Sequence, residues 1–165
     1  MIDYQIVPIS EDYIEGFCKA VDSVARERKY LAFLEGPPIE MSRDFVHENL
    51  RDGWPHFVAL IENTVVGWCD ITSLHRPVYE HSGVLGIGVL AKYRGQGIGE
   101  ALMRTAINQA KSRGLTRIEL TVNENNSPAI ALYKKLGFVI EGLKHKAVKI
   151  DGNYRNSICM ALLFV

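Results

Sequence analysis

The sequence predicts one α/β (α+β) domain, residues 1–165, in which helices cover both faces of a mixed, mostly antiparallel sheet. Strand-like and helix-like segments follow one another in the order β-α-α-β-β-β-α-β-α-β-β, which is typical of a layered sheet and helix structure. A glycine-rich turn at residues 95–99 joins a strand to a helix. Asp151-Gly152 is the strongest short-range hairpin signal in the chain. The length also suits a single domain.

The N-terminal third contains one predicted strand and two predicted helices. Residues 2–9 alternate loosely between apolar and polar side chains, and Ser10 is a good N-cap for the helix that follows. Gly36-Pro37-Pro38 interrupts the chain before a second, shorter helix that ends near Gly53. Apolar residues at helical spacing mark the two helices, namely Ile14, Phe17, Val21 and Val24 in the first and Phe45, Val46 and Leu50 in the second.

Three predicted strands occupy the middle of the chain. His56–Ile61 and residues 65–74 are joined by Glu62-Asn63-Thr64, a short polar connection that favours an antiparallel hairpin. Residues 83–90 form a third apolar run, which leads through the glycine-rich turn into a helix. That helix is expected to end at Gly114.

The C-terminal third predicts a strand, a helix and two long strands. Ile118, Leu120 and Val122 alternate with polar residues, as a strand with one buried face does. Pro128 suits the first turn of a helix that runs to about residue 136 and is ended by Gly137. The remaining residues predict two strands paired around Asp151-Gly152.

The composition argues against several function classes. Lys plus Arg and Asp plus Glu each count 19, so the net charge is zero and no large field attracts nucleic acid or a membrane surface. The N-terminus lacks the features of a secretory signal, and no apolar run reaches the length of a membrane span. Cys18, Cys69 and Cys159 lie far apart and outside C-x-x-C pairs, which argues against disulfides and against a metal site. We therefore expect a cytoplasmic protein with reduced thiols.

The glycine-rich turn admits two interpretations. Glycines before a helix N-terminus let a phosphate approach unpaired backbone N–H groups, but they also occur in turns that only require positive φ. A Walker A loop is excluded because Gly99 is followed by Glu100-Ala101 instead of Lys-Ser or Lys-Thr. The Rossmann-like run at residues 86–91 lies inside a predicted strand and not at a helix start, so we regard it as a chance match.

Two motifs decide between these interpretations. Arg94-Gly95-Gln96-Gly97-Ile98-Gly99 resembles the Q/R-x-x-G-x-G/A signature of the GNAT N-acetyltransferases, in which loop amides hold the coenzyme A pyrophosphate. Residues 126–138, NSPAIALYKKLGF, resemble the second motif of that family, N-x-x-A-x-x-L-Y-x-x-x-G-F. The sequence is thus similar to GNAT proteins at residues 83–138 in motif and over the whole chain in element order. This resemblance implies acetyl-CoA as cosubstrate and no metal.

The resemblance also implies a coenzyme site between two central strands. The strand before the loop is expected to bulge and to splay from the next one, which opens a V for the pantetheine arm. Unpaired main-chain groups at such an edge need partners, and the pantetheine amides offer them. Gly86 and Gly88 would permit the distortion, and the Val89 N–H would also polarise the thioester carbonyl. The residues assigned to coenzyme binding are Ile87, Val89, Arg94, Gly95, Gln96, Gly97, Ile98, Gly99 and Asn126, the last of which is also a good helix N-cap.

Acetyl transfer needs a neutral amine, a stabilised oxyanion and a proton for the departing thiolate. By the resemblance Tyr133 donates that proton, and the alternative is that Tyr133 is an ordinary core aromatic. Val84 stands where many relatives carry a glutamate base. Glu119 is our first choice for a replacement base, and the alternatives left open, acting directly or through water, are Asp70, Thr121, Glu80 and His81.

Substrate identity resides in the least diagnostic segments, residues 26–38 and 145–154, which by the resemblance form the acceptor pocket. Tyr30, Phe33, Glu35 and Trp68 could wall it, although Phe33 and Trp68 are equally plausible as core residues. The predicted function is transfer of an acetyl group to a small-molecule amine or a peptide N-terminus, and a homodimer is compatible with the resemblance. The alternatives are a non-catalytic acyl-CoA-binding regulatory module, favoured by the missing glutamate, and a nucleotide-binding domain.

Overall fold

The computed structural model describes residues 2–165, and within them seven strands form one sheet in the order β1-β2-β3-β4-β5-β7-β6. The strands are β1 (Gln5–Pro8), β2 (His56–Ile61), β3 (Thr64–Ser73), β4 (Ser82–Val89), β5 (Arg117–Asn123), β6 (Val139–Ile150) and β7 (Asn153–Leu163). The helices are α1 (Ile14–Ala25), α2 (Ile39–Asp52), α3 (Ile98–Ser112) and α4 (Ser127–Lys135). The predicted order of strands and helices is confirmed. Only β4 and β5 pair in parallel, so the sheet is mixed and mostly antiparallel as expected.

Helix ends follow the predicted signals with one exception. α2 ends at Gly53, which adopts a left-handed conformation with φ of 72°. The hairpin turn at Asp151 and Gly152 has positive φ at both residues, as a type I′ turn requires. Ser10 precedes a short 3-10 turn and makes no side-chain cap hydrogen bond, and α1 begins only at Ile14. The predicted cap of α1 at Ser10 is therefore wrong by one turn.

Two hydrophobic clusters lie on opposite faces of the sheet, as the prediction of helices on both faces requires. One cluster joins α3 and α4 to the sheet and includes Leu102, Met103 and Ile118. The other joins α1 and α2 to the sheet and includes Phe17, Val46 and Trp68. Burying both faces explains why the central strands are apolar on both sides.

The central strands separate after a short parallel contact. β4 and β5 are paired only at Ser82, Gly83 and Val84, whereas β5 pairs with β7 from Arg117 to Asn123. Residues 85–89 of β4 consequently have no strand partner on the β5 side, and the expected V-shaped opening is present. The expected bulge is not, because the register between β3 and β4 runs without a shift from Ser73 and Gly83 to Gly67 and Val89.

Gly86 and Gly88 have a different role from the one expected. A Cβ at Gly88 would lie 2.2 Å from the Trp68 ring, and a Cβ at Gly86 would lie 3.3 Å from Asp70 Oδ1. Both glycines therefore make room for β3 side chains that lean across β4, instead of allowing a distorted backbone. Trp68 is buried against Phe17, with ring centroids 6.0 Å apart, so it is a core residue and not a wall of the acceptor pocket.

We predict that Gly88→Ala lowers the free energy of unfolding by about 1–2 kcal/mol, because the added methyl group overlaps the buried Trp68 ring. Urea unfolding monitored by fluorescence measures this change. Gly142→Ala is the matched control, because no atom lies within 4 Å of the position of its Cβ. Equal stability of the two variants would contradict the packing role given to Gly88.

Three further properties of the described chain bear on function. No helix within residues 2–165 combines the length and apolar character needed to cross a membrane. The same residues contain no group of three or more His, Cys, Asp or Glu side chains arranged to hold a metal ion. Cys18, Cys69 and Cys159 are free thiols, and Cys69 is fully buried.

Candidate active site

The glycine-rich turn presents open backbone at the start of α3. Gly95 and Gly97 have φ of 76° and 86°, a left-handed conformation that favours glycine. Gly97 is the N-cap of α3, and its carbonyl accepts the first helical hydrogen bond from the Ala101 N–H at 3.1 Å. The N–H groups of the first turn have no partner within the helix, and no atom lies within 4 Å of a Cβ built at Gly95 or Gly97. The turn therefore offers donors and space for an anion at the positive end of the helix dipole.

The other residues of the turn differ in what they can offer a ligand. Ile98 has its side chain buried in the core, so only its backbone can meet a ligand. Gly99 lies where α3 approaches α4, since a Cβ there would lie 3.7 Å from Leu132. Gln96 is exposed at the tip of the turn.

Arg94 connects three parts of the site through its side chain. Its Nη1 and Nη2 donate to the two Glu27 carboxylate oxygens at 2.9 and 2.5 Å, and its Nε donates to the Val89 carbonyl at 2.9 Å. The guanidinium also lies 4.7 Å from the centre of the Tyr30 ring. Arg94 thus fixes the glycine-rich turn against β4 and the end of α1, and its assignment to coenzyme binding stays a prediction.

Every second residue of β4 directs its backbone N–H and C=O groups into the V. The Leu90 N–H donates to the Val66 carbonyl on β3 at 2.9 Å, and successive residues of a strand direct their backbone groups to opposite edges. Ile87 and Val89 therefore direct their backbone groups away from β3, toward β5. Since β5 is no longer paired there, both backbone groups of Ile87 and the Val89 N–H are available to an extended ligand, whereas the Val89 carbonyl already accepts from Arg94 Nε. The assignment of Ile87 and Val89 to coenzyme binding stays a prediction.

Tyr133 lies beside this edge, on α4. Its side chain is 8% exposed and packs against Phe138, with ring centroids 6.0 Å apart. Burial raises the pKa of the Tyr133 phenol, and the nearby Cys69 thiol adds to the effect. Cys69 is also the register partner of Ile87 on β4. Tyr133 therefore lies near Ile87, one of the residues whose backbone groups face the V. The phenol consequently stays protonated at neutral pH, as a proton donor must.

Asn126 caps α4, next to the V. Its side-chain oxygen accepts a hydrogen bond from the Ala129 N–H at 3.4 Å. The structural role expected for this residue is confirmed, and the residue as a whole is half-buried. Contact with the coenzyme stays a prediction.

The candidate bases are not gathered at one point. Glu119 is the register partner of Val84 at the closed end of the V, but its Oε2 accepts from Arg117 Nε at 3.0 Å. One of the two Glu119 carboxylate oxygens is therefore already paired with the Arg117 guanidinium. Thr121 is exposed on the same strand, and Glu80 and His81 are exposed before β4.

Asp70 differs from these groups because it is buried, with 8% of its surface exposed. Burial raises the pKa of its carboxyl to about 7. It lies on β3 as the register partner of Gly86, which carries no side chain to cover it.

The two predicted acceptor segments are in contact. Arg28 donates to both Asp151 oxygens, at 3.0 and 2.6 Å, and Arg155 Nη1 donates to the Arg28 carbonyl at 3.3 Å. Tyr30 and Phe33 are 43% and 49% exposed, so both are available to line an acceptor site. Sequence reasoning missed the Arg28–Asp151 pair because 123 positions separate the partners and no local pattern connects them.

Comparison with known proteins places this arrangement in a family. The model of the acetyltransferase (GNAT) family matches residues 20–138, which include the V, the glycine-rich turn and Tyr133. An L-amino acid N-acetyltransferase of Escherichia coli is 39% identical over 112 residues, which are 67% of this chain and 69% of that protein. The N-alpha-acetyltransferase RimI of Mycobacterium tuberculosis is 34% identical over 118 residues, 70% of this chain and 69% of that protein.

The fold comparison agrees with the sequence comparison. A GNAT-family acetyltransferase of Streptococcus pneumoniae superposes with a TM-score of 0.91 at 27% identity, covering 98% of this chain and 100% of that one. The motifs, the splayed strands and these matches agree on one assignment. The chain belongs to the GNAT family of acetyltransferases, which use acetyl-CoA as the acyl donor.

Proposed function

We propose that this protein transfers the acetyl group of acetyl-CoA to the primary amine of an amino acid, another small molecule or a peptide N-terminus. The observation that carries the proposal is the V between β4 and β5, with the open glycine-rich turn at the N-terminus of α3 at its open end and Tyr133 beside it. We further propose that residues 1–165 act as one domain in the cytoplasm, without a nucleic-acid or membrane partner. A homodimer stays a prediction.

The residues present fit a coenzyme A thioester. The N–H groups at the start of α3 suit the pyrophosphate, and the backbone of Ile87 and Val89 suits the pantetheine amides. The thioester supplies the electrophilic carbonyl. In the proposed reaction the Val89 N–H polarises that carbonyl, and Tyr133 gives its proton to the departing sulfur.

The acceptor end favours a small amine over a long polycation. Lys144, Lys146 and Lys149 lie on β6 near the hairpin, where their positive charges would repel a polyamine. The Arg28–Asp151 pair neutralises an acid of the hairpin. One relative is named as an L-amino acid N-acetyltransferase and another as an N-alpha-acetyltransferase, and both names refer to an α-amine as the acceptor.

A panel of amines tests this proposal by thiol release from acetyl-CoA. We expect α-amino acids and peptide N-termini to react severalfold faster, in kcat/KM, than spermidine or a lysine-rich peptide. N-acetylated amino acids are the matched control, because they keep the carboxylate and side chain but lack the nucleophile. Turnover restricted to polyamines or lysine-rich peptides would contradict the acceptor class.

A non-catalytic acyl-CoA-binding module remains the second candidate from the sequence, and the absence of a glutamate at Val84 is the observation in its favour. It predicts tight acetyl-CoA binding with no amine-dependent thiol release. The retained Tyr133 favours the enzyme, whereas the open turn is expected of both candidates.

A further inference from the structure

Asp70 is a buried carboxylate that the fold alone does not explain. Buried carboxylates are normally paired with a cation or several hydrogen-bond donors, because an isolated buried charge is costly. Burial is the cause that raises the pKa of Asp70 to about 7, and no cation among the described residues offsets it. Strongly perturbed groups of this kind concentrate at functional sites.

The Asp70 carboxylate lies against Gly86 of β4, the strand that borders the V. Its Oδ1 and Oδ2 lie 3.3 and 3.7 Å from the position that a Gly86 Cβ would occupy. Val84 and Gly86 share a face of β4 because side chains alternate along a strand. The carboxylate thus lies on the face of β4 that Val84 shares, beside Gly86, and the next residue of β4 is Ile87, whose backbone faces the V.

The charged and titratable groups around Asp70 leave it free to accept a proton. His56 is its register partner on β2, and the two atoms His56 Nδ1 and Asn49 Nδ2 lie 3.2 Å apart. Burial lowers the pKa of His56 to about 3, so that ring is neutral. Cys69 and Tyr133 belong to the opposite face of the sheet, and Glu119 on β5 is paired with Arg117.

We propose that Asp70 is the general base that takes a proton from the ammonium group of the acceptor. This inference rests on the proposed function and identifies the residue that replaces the missing glutamate. Two protons leave the acceptor nitrogen. The first passes to Asp70 before attack, and the neutral nitrogen then forms the C–N bond as the C–S bond breaks. The second proton passes to the Tyr133 phenolate, which has given its own proton to the sulfur. Asp70 then releases the first proton to water.

Asp70→Asn tests the proposal, since it keeps the shape and removes the base. The wild-type kcat/KM for the acceptor should rise with pH through a limb near pH 7, set by the pKa of Asp70. In the variant kcat/KM should fall about 10²-fold and that limb should disappear, leaving only the titration of the amine itself. The Kd for acetyl-CoA should not change.

Stability measurements separate this role from a structural one. The pKa of Asp70 in the folded protein lies above its ordinary value of 3.8, so the stability this group contributes at low pH is lost as the pH rises through about 7. Asp70→Asn should therefore be at least as stable as wild type at pH 8 while being much less active. A variant that loses stability and activity together, and keeps the limb near pH 7, would overturn the proposal.

Two more variants complete the test. Gly86→Ala retains Asp70 but places a methyl group 3.3 Å from Oδ1, so it should also lower kcat/KM. Ser82→Ala removes another buried polar group, at the start of β4, and should leave kcat/KM and its pH profile unchanged. If wild type acetylates amines and Asp70→Asn stays within twofold of it, the proposed function stands and the assignment of Asp70 fails.

Discussion

Replacing Tyr133 with phenylalanine is expected to lower kcat about 10²-fold and to leave KM for acetyl-CoA nearly unchanged. The substitution removes only the hydroxyl and keeps the ring that packs against Phe138. A positioned proton donor contributes roughly 10²–10⁴-fold, and two facts favour the lower end. Burial raises the pKa of the phenol, which makes it a weaker acid. A thiolate, whose conjugate acid has a pKa near 8.5, also leaves tolerably without help.

Steady-state kinetics combined with a pre-steady-state measurement of thiol release check this prediction, because the effect is visible only where chemistry limits the rate. Urea unfolding should show a small change, since the hydroxyl adds little to the packing of α4. If kcat stays within twofold of wild type while chemistry is rate-limiting, Tyr133 is a packing residue and the assignment fails.

Replacing Gly97 with valine is expected to weaken coenzyme A binding at least tenfold, which corresponds to about 1.4 kcal/mol. The new side chain would project into the open space before α3, where no protein atom lies within 4 Å of the Cβ. That space is where we expect the pyrophosphate. A β-branched residue would also strain the backbone, because φ at this position is 86°.

Gly114→Val separates these two effects. Gly114 has φ of 95°, also has no atom within 4 Å of its Cβ position, and follows the other end of α3. The two variants should lose similar stability, whereas only Gly97→Val should lose affinity in a calorimetric titration with coenzyme A. Equal affinities of the two folded variants would remove the turn from the coenzyme site.

The sequence predicted the fold well because its strongest signals are local. Apolar periodicity placed α1 and α3, and the glycines at positions 53 and 152 ended a helix and formed a hairpin where expected. The error at Ser10 has the same local origin. A good capping residue cannot distinguish an α-helix from a short 3-10 turn that precedes one.

The functional site was predicted less completely because its chemistry depends on cross-strand neighbours. Gly86 leaves room for the Asp70 side chain, and Gly88 leaves room for the Trp68 ring. These roles could not be recognised before the register of β3 and β4 was known. The same holds for Asp70, which by sequence alone was one of several acidic candidates. The two motifs predicted where the coenzyme binds, because GNAT proteins share these motifs, and that placement stays a prediction. The acceptor end has no motif, and its segments meet only through the long-range pair of Arg28 and Asp151.

Amine-dependent release of free coenzyme A from acetyl-CoA tests the central claim most directly. We expect the wild-type protein to release thiol in a saturable reaction that requires an α-amine, with the acetylated amine as the product in mass spectrometry. Hydrolysis of acetyl-CoA without amine should be much slower, because in the proposed reaction the acceptor amine, and not water, attacks the thioester. Tight binding of acetyl-CoA together with no thiol release above this hydrolysis, for any α-amine of the panel, would contradict the assignment of N-acetyltransferase activity.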